Sequence, residues 1–172
     1  LLLSALDEIA YLLNLRGKDV HCNPVFVAYL LVGQGRSTLF VPPGKLDDEL
    51  VEKLTRAQVL VASYEDIQSI LAQVSPSSRL MIDPSTLNAK LALQLQASKM
   101  IQQPSPVMKM KAIKGKAECE HIRAAMEKDG VALTRAFIWL ELLLKRGKTC
   151  TERDFAMQIA FCRAQQKAYV GA

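Results

Sequence analysis

The sequence predicts an α/β fold over its first hundred residues, a mixed or mostly parallel sheet flanked by helices, followed by long helices whose own sheet is missing. Three observations carry this reading. Short apolar runs alternate with runs at helical spacing throughout residues 1–102. Half of the 172 residues are hydrophobic and 23% are charged, which supplies enough apolar surface for a folded core and argues against disorder. From Lys116 to Lys145 no proline interrupts a helical pattern.

The elements follow in order. Leu1–Leu3 reads as a strand, and a start inside an apolar run suggests that the strand begins further upstream. Ala5–Leu15 reads as a helix, since Ile9, Leu12 and Leu13 recur at helical spacing; Ser4 is placed to cap it and Gly17 to end it. Val25–Val32 and Thr38–Val41 read as strands joined at a Gly33–Gly35 turn, a hairpin. Asp47–Arg56 is a short helix with acids in its first turn, where the helix dipole favours them. Val59–Ala62 is a strand. Ser63 and Asp66 have capping-box spacing before a helix carrying Ile67, Ile70 and Leu71. Leu80–Ile82 is a strand ending at Asp83-Pro84, Thr86–Ala97 a helix, and Lys99–Gln102 a last strand.

The remainder is helical. Ile122, Met126, Leu133, Phe137, Leu140 and Leu144 form one stripe on the long helix, and Gly147 closes it. Gly130 costs about 1 kcal/mol relative to alanine in mid-helix. Thr151 and Asp154 form a second capping box, opening a helix with Phe155, Ile159 and Cys162 on one face. Two amphipathic helices need a partner surface, so they read as the outer layer of an incomplete domain. The domain reading is therefore 1–102 for the sheet domain, 103–115 for a linker and 116–172 for the helices.

Charge supports that division. Residues 1–102 carry 9 Lys/Arg and 10 Asp/Glu, a net of −1, while residues 103–172 carry 13 and 7, a net of +6. The change falls at Pro104-Ser105-Pro106. Lys109, Lys111, Lys114 and Lys116 form the basic cluster, but no aromatic residue interleaves it to stack on bases. A solvated face is the reading, not a nucleic-acid interface. No apolar stretch is long enough to span a membrane, and acidic Asp7 and Glu8 follow the leading leucines, unlike a signal peptide. Cys22, Cys119, Cys150 and Cys162 form no C-x-x-C pair and no disulfide-like ladder, which reads as reduced thiols in the cytoplasm.

The search for chemistry is brief. Glu118 and His121 are three apart on one helix face, but a metal centre of the kind that uses this spacing needs a second such pair and two further Glu, which are not there. His21 beside Cys22 is a weak transition-metal contact at best and reads as a loop before Asn23-Pro24. No nucleophile, base and orienting group share a motif, and Gly33-Gln34-Gly35 is a turn signal rather than a phosphate loop. No catalytic, substrate-binding or metal residue is assigned.

Three segments nevertheless resemble a known family. Ala5 to Gly17, reading ALDEIAYLLNLRG and continuing through Lys18, Asp19 and Val20 to Asn23-Pro24-Val25-Phe26, is similar to a run in the second domain of aminopeptidase P. Lys109 to Ala125, extended by Asp129, Ala132, Leu133, Trp139, Leu140 and Glu141, is similar to the stretch that leads into that family's catalytic domain. Arg163 to Gly171 is similar to a third family run. The departures, Cys22 where relatives carry His or Tyr and Met126 where His is common, fall outside the family's metal ligands.

The resemblance is to the Xaa-Pro aminopeptidases of the creatinase/prolidase, or pita-bread, superfamily. It implies two creatinase-like domains before a catalytic domain that binds two divalent metals, usually manganese, through two Asp, one His and two Glu. Those metals activate water to cut the bond before a proline in second position. Residues 1–102 then correspond to most of the second domain and residues 116–172 to the first helices of the catalytic domain. No metal ligand transfers onto this segment, so the segment alone is expected to be inactive and to bind no metal pair. The implied partners are peptides with proline second, with a homodimer of the parent left open and neither nucleic acid nor membrane expected. Arg16 and Asp19 lie in the non-catalytic run and are expected to be structural. The alternative is a catalytically dead pita-bread relative that serves as a peptide- or histone-binding module.

Overall fold

The computed structural model describes residues 1–74, 78–95 and 100–171. These form two compact units, 1–113 and 114–172.

The first unit is built on a six-stranded sheet ordered β4-β3-β2-β1-β5-β6. Its strands are β1 (Leu2–Leu3), β2 (Tyr29–Val32), β3 (Ser37–Val41), β4 (Val59–Ser63), β5 (Leu80–Ile82) and β6 (Met100–Gln102). The sheet is mixed. Strand β1 pairs antiparallel with β2 and parallel with β5, β2 pairs antiparallel with β3, and β3–β4 and β5–β6 are parallel. The hairpin is present in register, with Tyr29 opposite Phe40 and Val32 opposite Ser37. Gly33 donates its N–H to Arg36 O across the turn, and Gly35 takes a positive φ of 81°.

Helices cover both faces. One apolar cluster joins Leu3, Ile9, Phe26, Leu30, Leu39 and Val107; the other joins Leu2, Phe40, Ile67, Leu80, Ile82 and Leu91. Neighbours Leu2 and Leu3, and likewise Leu39 and Phe40, fall in different clusters. That is the period-2 alternation of a sheet buried on both sides.

Several local expectations are corrected. Helix α1 spans Leu6–Leu13, and its N-cap Ala5 makes no side-chain cap bond; the Ser4 hydroxyl instead reaches the Thr86 hydroxyl at 3.2 Å. The helix ends at Asn14, which adopts a left-handed φ of 51°, rather than at Gly17. Residues 25–28 are not strand: this buried stretch is tied by Val25 N–H to Asn23 O and by Val27 N–H to Asp19 Oδ2. Ser63 makes no cap bond, and Tyr64–Asp66 is a single 3₁₀ turn before α3 (Ile67–Ala72). Helix α2 (Asp48–Arg56) is capped by Asp47, which accepts from Leu50 N–H at 2.8 Å. Helix α4 runs Ala89–Gln94 and starts later than Thr86, because Thr86 and Leu87 donate their N–H groups to Asp83 O in a turn and Asn88 is the cap. The expected extensions to Ala97 and Lys99 lie outside the described residues.

The 103–115 stretch contains a helix, α5 (Pro106–Ala112), capped by Ser105 with proline in its first turn. Val107 belongs to the first core cluster, so this stretch is packed onto the sheet unit rather than extended.

The second unit is an α-hairpin of α6 (Lys116–Lys145) and α7 (Glu152–Ala164). Glu118 accepts from Gly115 N–H at the start of α6. At its end Gly147 takes φ 69° and donates to Leu144 O, while Lys148 donates to Leu143 O, a paired closure that satisfies the last carbonyls. Thr151 and Asp154 form the expected capping box of α7.

The contact between α6 and α7 is centred beside the large apolar stripe, on small residues. Ala132 and Ala136, one turn apart, are fully buried with Cys162, and Phe155 and Ile159 pack around them. Small residues let the two backbones approach, and the Phe137 and Phe155 rings meet at 5.2 Å. Ile122, Met126 and Leu144 are exposed within this unit.

Candidate functional site

The family-like run of the first unit builds a compact loop around Arg16, Gly17 and Asp19. After α1 ends at Asn14, the chain turns back and residues 17–19 run beside 24–25: Gly17 N–H donates to Pro24 O and Asp19 N–H to Val25 O, each at 3.2 Å. The approach is close enough that a Cβ on Gly17 would lie 2.6 Å from Phe26 Cβ and 2.8 Å from Val25 O. This close approach, and not helix termination, is what requires glycine there.

Arg16 donates one guanidinium nitrogen to Ala10 O at 3.1 Å and to Leu15 O at 2.9 Å. It thereby adds a side-chain donor to Ala10 O, which already accepts from the Asn14 and Leu15 N–H groups, and ties Leu15 O just beyond the helix. Asp19 accepts from Val27 N–H at 2.9 Å and from the Lys45 ammonium. The Lys45 hydrogen bond, then the Val27 N–H, hold the Asp19 carboxyl below the usual carboxylate range. Lys45 carries no motif signal and sits 26 residues away, so sequence reasoning missed it. Arg16, Lys18, Asp19 and Lys45, with Phe26, Leu46 and Leu50, line a cavity of about 190 Å³.

These contacts give a direct prediction. Arg16→Ala should cost the sheet unit about 1 kcal/mol of stability through its two carbonyl bonds, read by denaturant unfolding. A loss well above about 2 kcal/mol would mean that Arg16 holds more than these two carbonyls.

The other residues singled out by sequence do not converge. Glu118 is occupied as a helix cap, and His121, exposed, lines a separate open groove of about 650 Å³ with Lys128, Asp129, Arg163 and Tyr169 in the second unit. There Arg163 grips Asp129 with two bonds of 2.6 and 3.1 Å, and that guanidinium holds the Asp129 carboxyl low. His21 and Cys22 sit side by side, Sγ to Nδ1 3.0 Å, on an exposed turn with Cys22 at φ 59°. All four cysteines are free thiols. Lys111 of the basic cluster pairs with Asp7 of α1. Among the described residues no three His, Cys, Asp or Glu side chains are grouped so that they could hold a metal ion. Among the described residues no helix is long and apolar enough to cross a membrane.

Comparison with known proteins gives this geometry a family. Residues 1–118 match the creatinase/prolidase N-terminal domain. The chain is 35% identical over 175 residues to Xaa-Pro aminopeptidase ApepP of Drosophila melanogaster, covering 99% of this chain and 28% of that protein. It is 37% identical over 185 residues to a probable Xaa-Pro aminopeptidase P of Ajellomyces dermatitidis, covering 98% and 30%. The crystal structure of X-prolyl aminopeptidase from Caenorhabditis elegans, described as a cytosolic enzyme with a di-nuclear active site, superposes with a TM-score of 0.87 at 27% identity, over 99% of this chain and 29% of that one. The chain thus spans less than a third of the length of these relatives. With the mixed sheet, its flanking helices and the long helices that follow all matched, this chain belongs to the creatinase/prolidase N-terminal domain family and is similar throughout to the N-terminal region of Xaa-Pro aminopeptidases.

Proposed function

We propose that these residues are the non-catalytic part of a dinuclear-metal Xaa-Pro aminopeptidase that works in the cytoplasm. Its reaction is hydrolysis of the bond between an N-terminal residue and a following proline. The observation that carries this is similarity to such enzymes over 98–99% of the chain at 35–37% identity. In this reading residues 1–102 are a creatinase-like second domain, 103–115 the connection, and 116–172 the opening helices of the catalytic domain. Two divalent ions, manganese in our assignment, belong to the part of the enzyme beyond these residues, where they would activate the attacking water. The present residues supply no ligand to them. Their contribution is structural: a rigid sheet domain and a helical layer on which the catalytic domain is completed.

The test compares two proteins. The 172-residue chain and the full-length enzyme are each dialysed with manganese and assayed on an Xaa-Pro-Pro peptide. The full-length enzyme should release the first residue only when proline follows, and the shorter chain should be inactive. Turnover by the shorter chain above a chelator-treated control would reveal a site within it. Inactivity of a folded, metal-loaded full-length protein would exclude the aminopeptidase reading.

A further inference from the structure

We propose that β4 is a docking edge for an extended peptide segment, one with aliphatic side chains at every second position and a carboxylate beside Lys45. Main-chain pairing supplies the contact, and a neighbouring cavity reads a side chain.

The pairing groups follow from the register of β4. Among the described residues β4 ends the sheet, with β3 on one side and no strand on the other. Strand β3 runs parallel to it, from Ser37 opposite Val59 to Val41 opposite Ser63, with no bulge between. Ser37 N–H donates to Gln58 O at 2.9 Å. In a parallel ladder that bond phases the rest, because alternate residues bond one neighbour and those between them face the other way. Gln58, Leu60 and Ala62 therefore face β3, and the N–H and C=O groups of Val59, Val61 and Ser63 point to the open side. The Leu60 side chain is 40% exposed, and Val61, Ala62 and Ser63 are half-buried, so this end of the sheet is within reach of a partner.

The edge lacks the usual guards against pairing: no residue from Gln58 to Ser63 is charged and none is proline. Outward backbone groups at a two-residue period are matched by another extended backbone, the mode in which peptides add a strand to a sheet. At the C-terminal end of β4 lies a cavity of about 300 Å³, lined by Val61 and Ser63 together with Pro42, Leu46 and Val51. Side chains of an added strand alternate between faces, so every second one falls on the cavity's side. Lys45 is the charged residue of that lining. It already binds Asp19, but its side chain is 42% exposed and an ammonium carries three donors, so a partner's carboxylate can share it.

The probe is an acetylated, fluorescein-labelled heptapeptide that alternates threonine with valine and ends in glutamate amide, titrated into the 172-residue chain. In the free chain the Val61 and Ser63 amides should exchange faster than those of Leu60 and Ala62. Saturating peptide should slow the first pair by at least about tenfold and leave the second pair unchanged. Ser63→Pro removes one outward donor at a residue whose φ of −62° already suits proline. It should keep the unfolding midpoint within about 2 °C and weaken binding by at least about threefold. A peptide N-methylated at alternate amides should not bind. No binding at millimolar peptide, equal binding of the N-methylated peptide, or unfolding of the Ser63→Pro variant would each overturn the proposal. So would protection of Val61 and Ser63 that rises with protein concentration in the absence of peptide, which would assign the edge to a second copy of the chain.

Discussion

Replacing Gly17 by valine is expected to unfold the loop that follows α1, and Gly17→Ala to destabilise the sheet unit by about 3 kcal/mol. The obstacle is steric. The missing Cβ would sit 2.6 Å from the Phe26 Cβ and 2.8 Å from the Val25 carbonyl oxygen. Neither is the movable tip of a long side chain. Relief therefore requires parting residues 17–19 from 24–25, which breaks the bonds to Pro24 O and Val25 O and draws Phe26 out of the core. Denaturant unfolding measures it, and a loss below about 1 kcal/mol for the alanine variant would mean that the loop yields without strain.

Asp83→Ala should cost the sheet unit about 3 kcal/mol as well, for a different reason. This buried carboxylate accepts from Ser85 N–H at 2.9 Å, from the Ser85 hydroxyl at 2.6 Å and from Ser105 N–H at 2.9 Å. Removing it leaves the Ser105 donor buried with no acceptor, and that orphaned group contributes much of the cost. The Ser85 hydroxyl bond, followed by the two N–H groups, lowers the Asp83 pKa from its ordinary value. The sign follows from linkage. A carboxylate depressed in the folded state adds stability that is complete above its unfolded pKa of about 3.9. That stability is lost as pH falls from there through the folded value. Asp83→Asn should therefore flatten the fall in stability below about pH 4 while lowering stability at pH 7. An unchanged acid limb in the asparagine variant would show that Asp83 does not set it.

What was legible in the sequence was mostly what is local. The bounds of α6 and the Thr151–Asp154 capping box needed only helical period and a three-residue spacing. The hairpin needed only a glycine turn between two apolar runs. What was missed depended on partners distant in sequence. Asp83 reads as a turn residue before proline until Ser105 arrives 22 positions later. Residues 25–28 look like strand by composition, yet the Val25 and Val27 N–H groups are taken by Asn23 O and the Asp19 carboxylate. On α6 the large apolar stripe drew attention while the contact with α7 runs through Ala132 and Ala136, because close helix approach selects small residues that carry little apolar signal. At the candidate site, Arg16 and Asp19 drew attention through family likeness, and Asp19's partner Lys45 had no local signal at all.

The placement of β1 sets the order in which the first unit can assemble. Strand β1 comes first in the chain but lies inside the sheet, beside β2 on one flank and β5 on the other. Its pairing with β2 joins Leu3 to Leu30, whereas its pairing with β5 joins Leu2 to Ile82. Closing the longer loop carries the larger entropic cost and comes later unless nearer contacts have shortened it. Strands β1 to β4, contained in residues 2–63, are therefore expected to pair first, with β5 and β6 docking afterwards along the edge that β1 offers. During synthesis that edge stays open until residue 82 emerges, so the half-built sheet presents an apolar, unpaired strand at the stage when stray β-pairing is the greatest hazard.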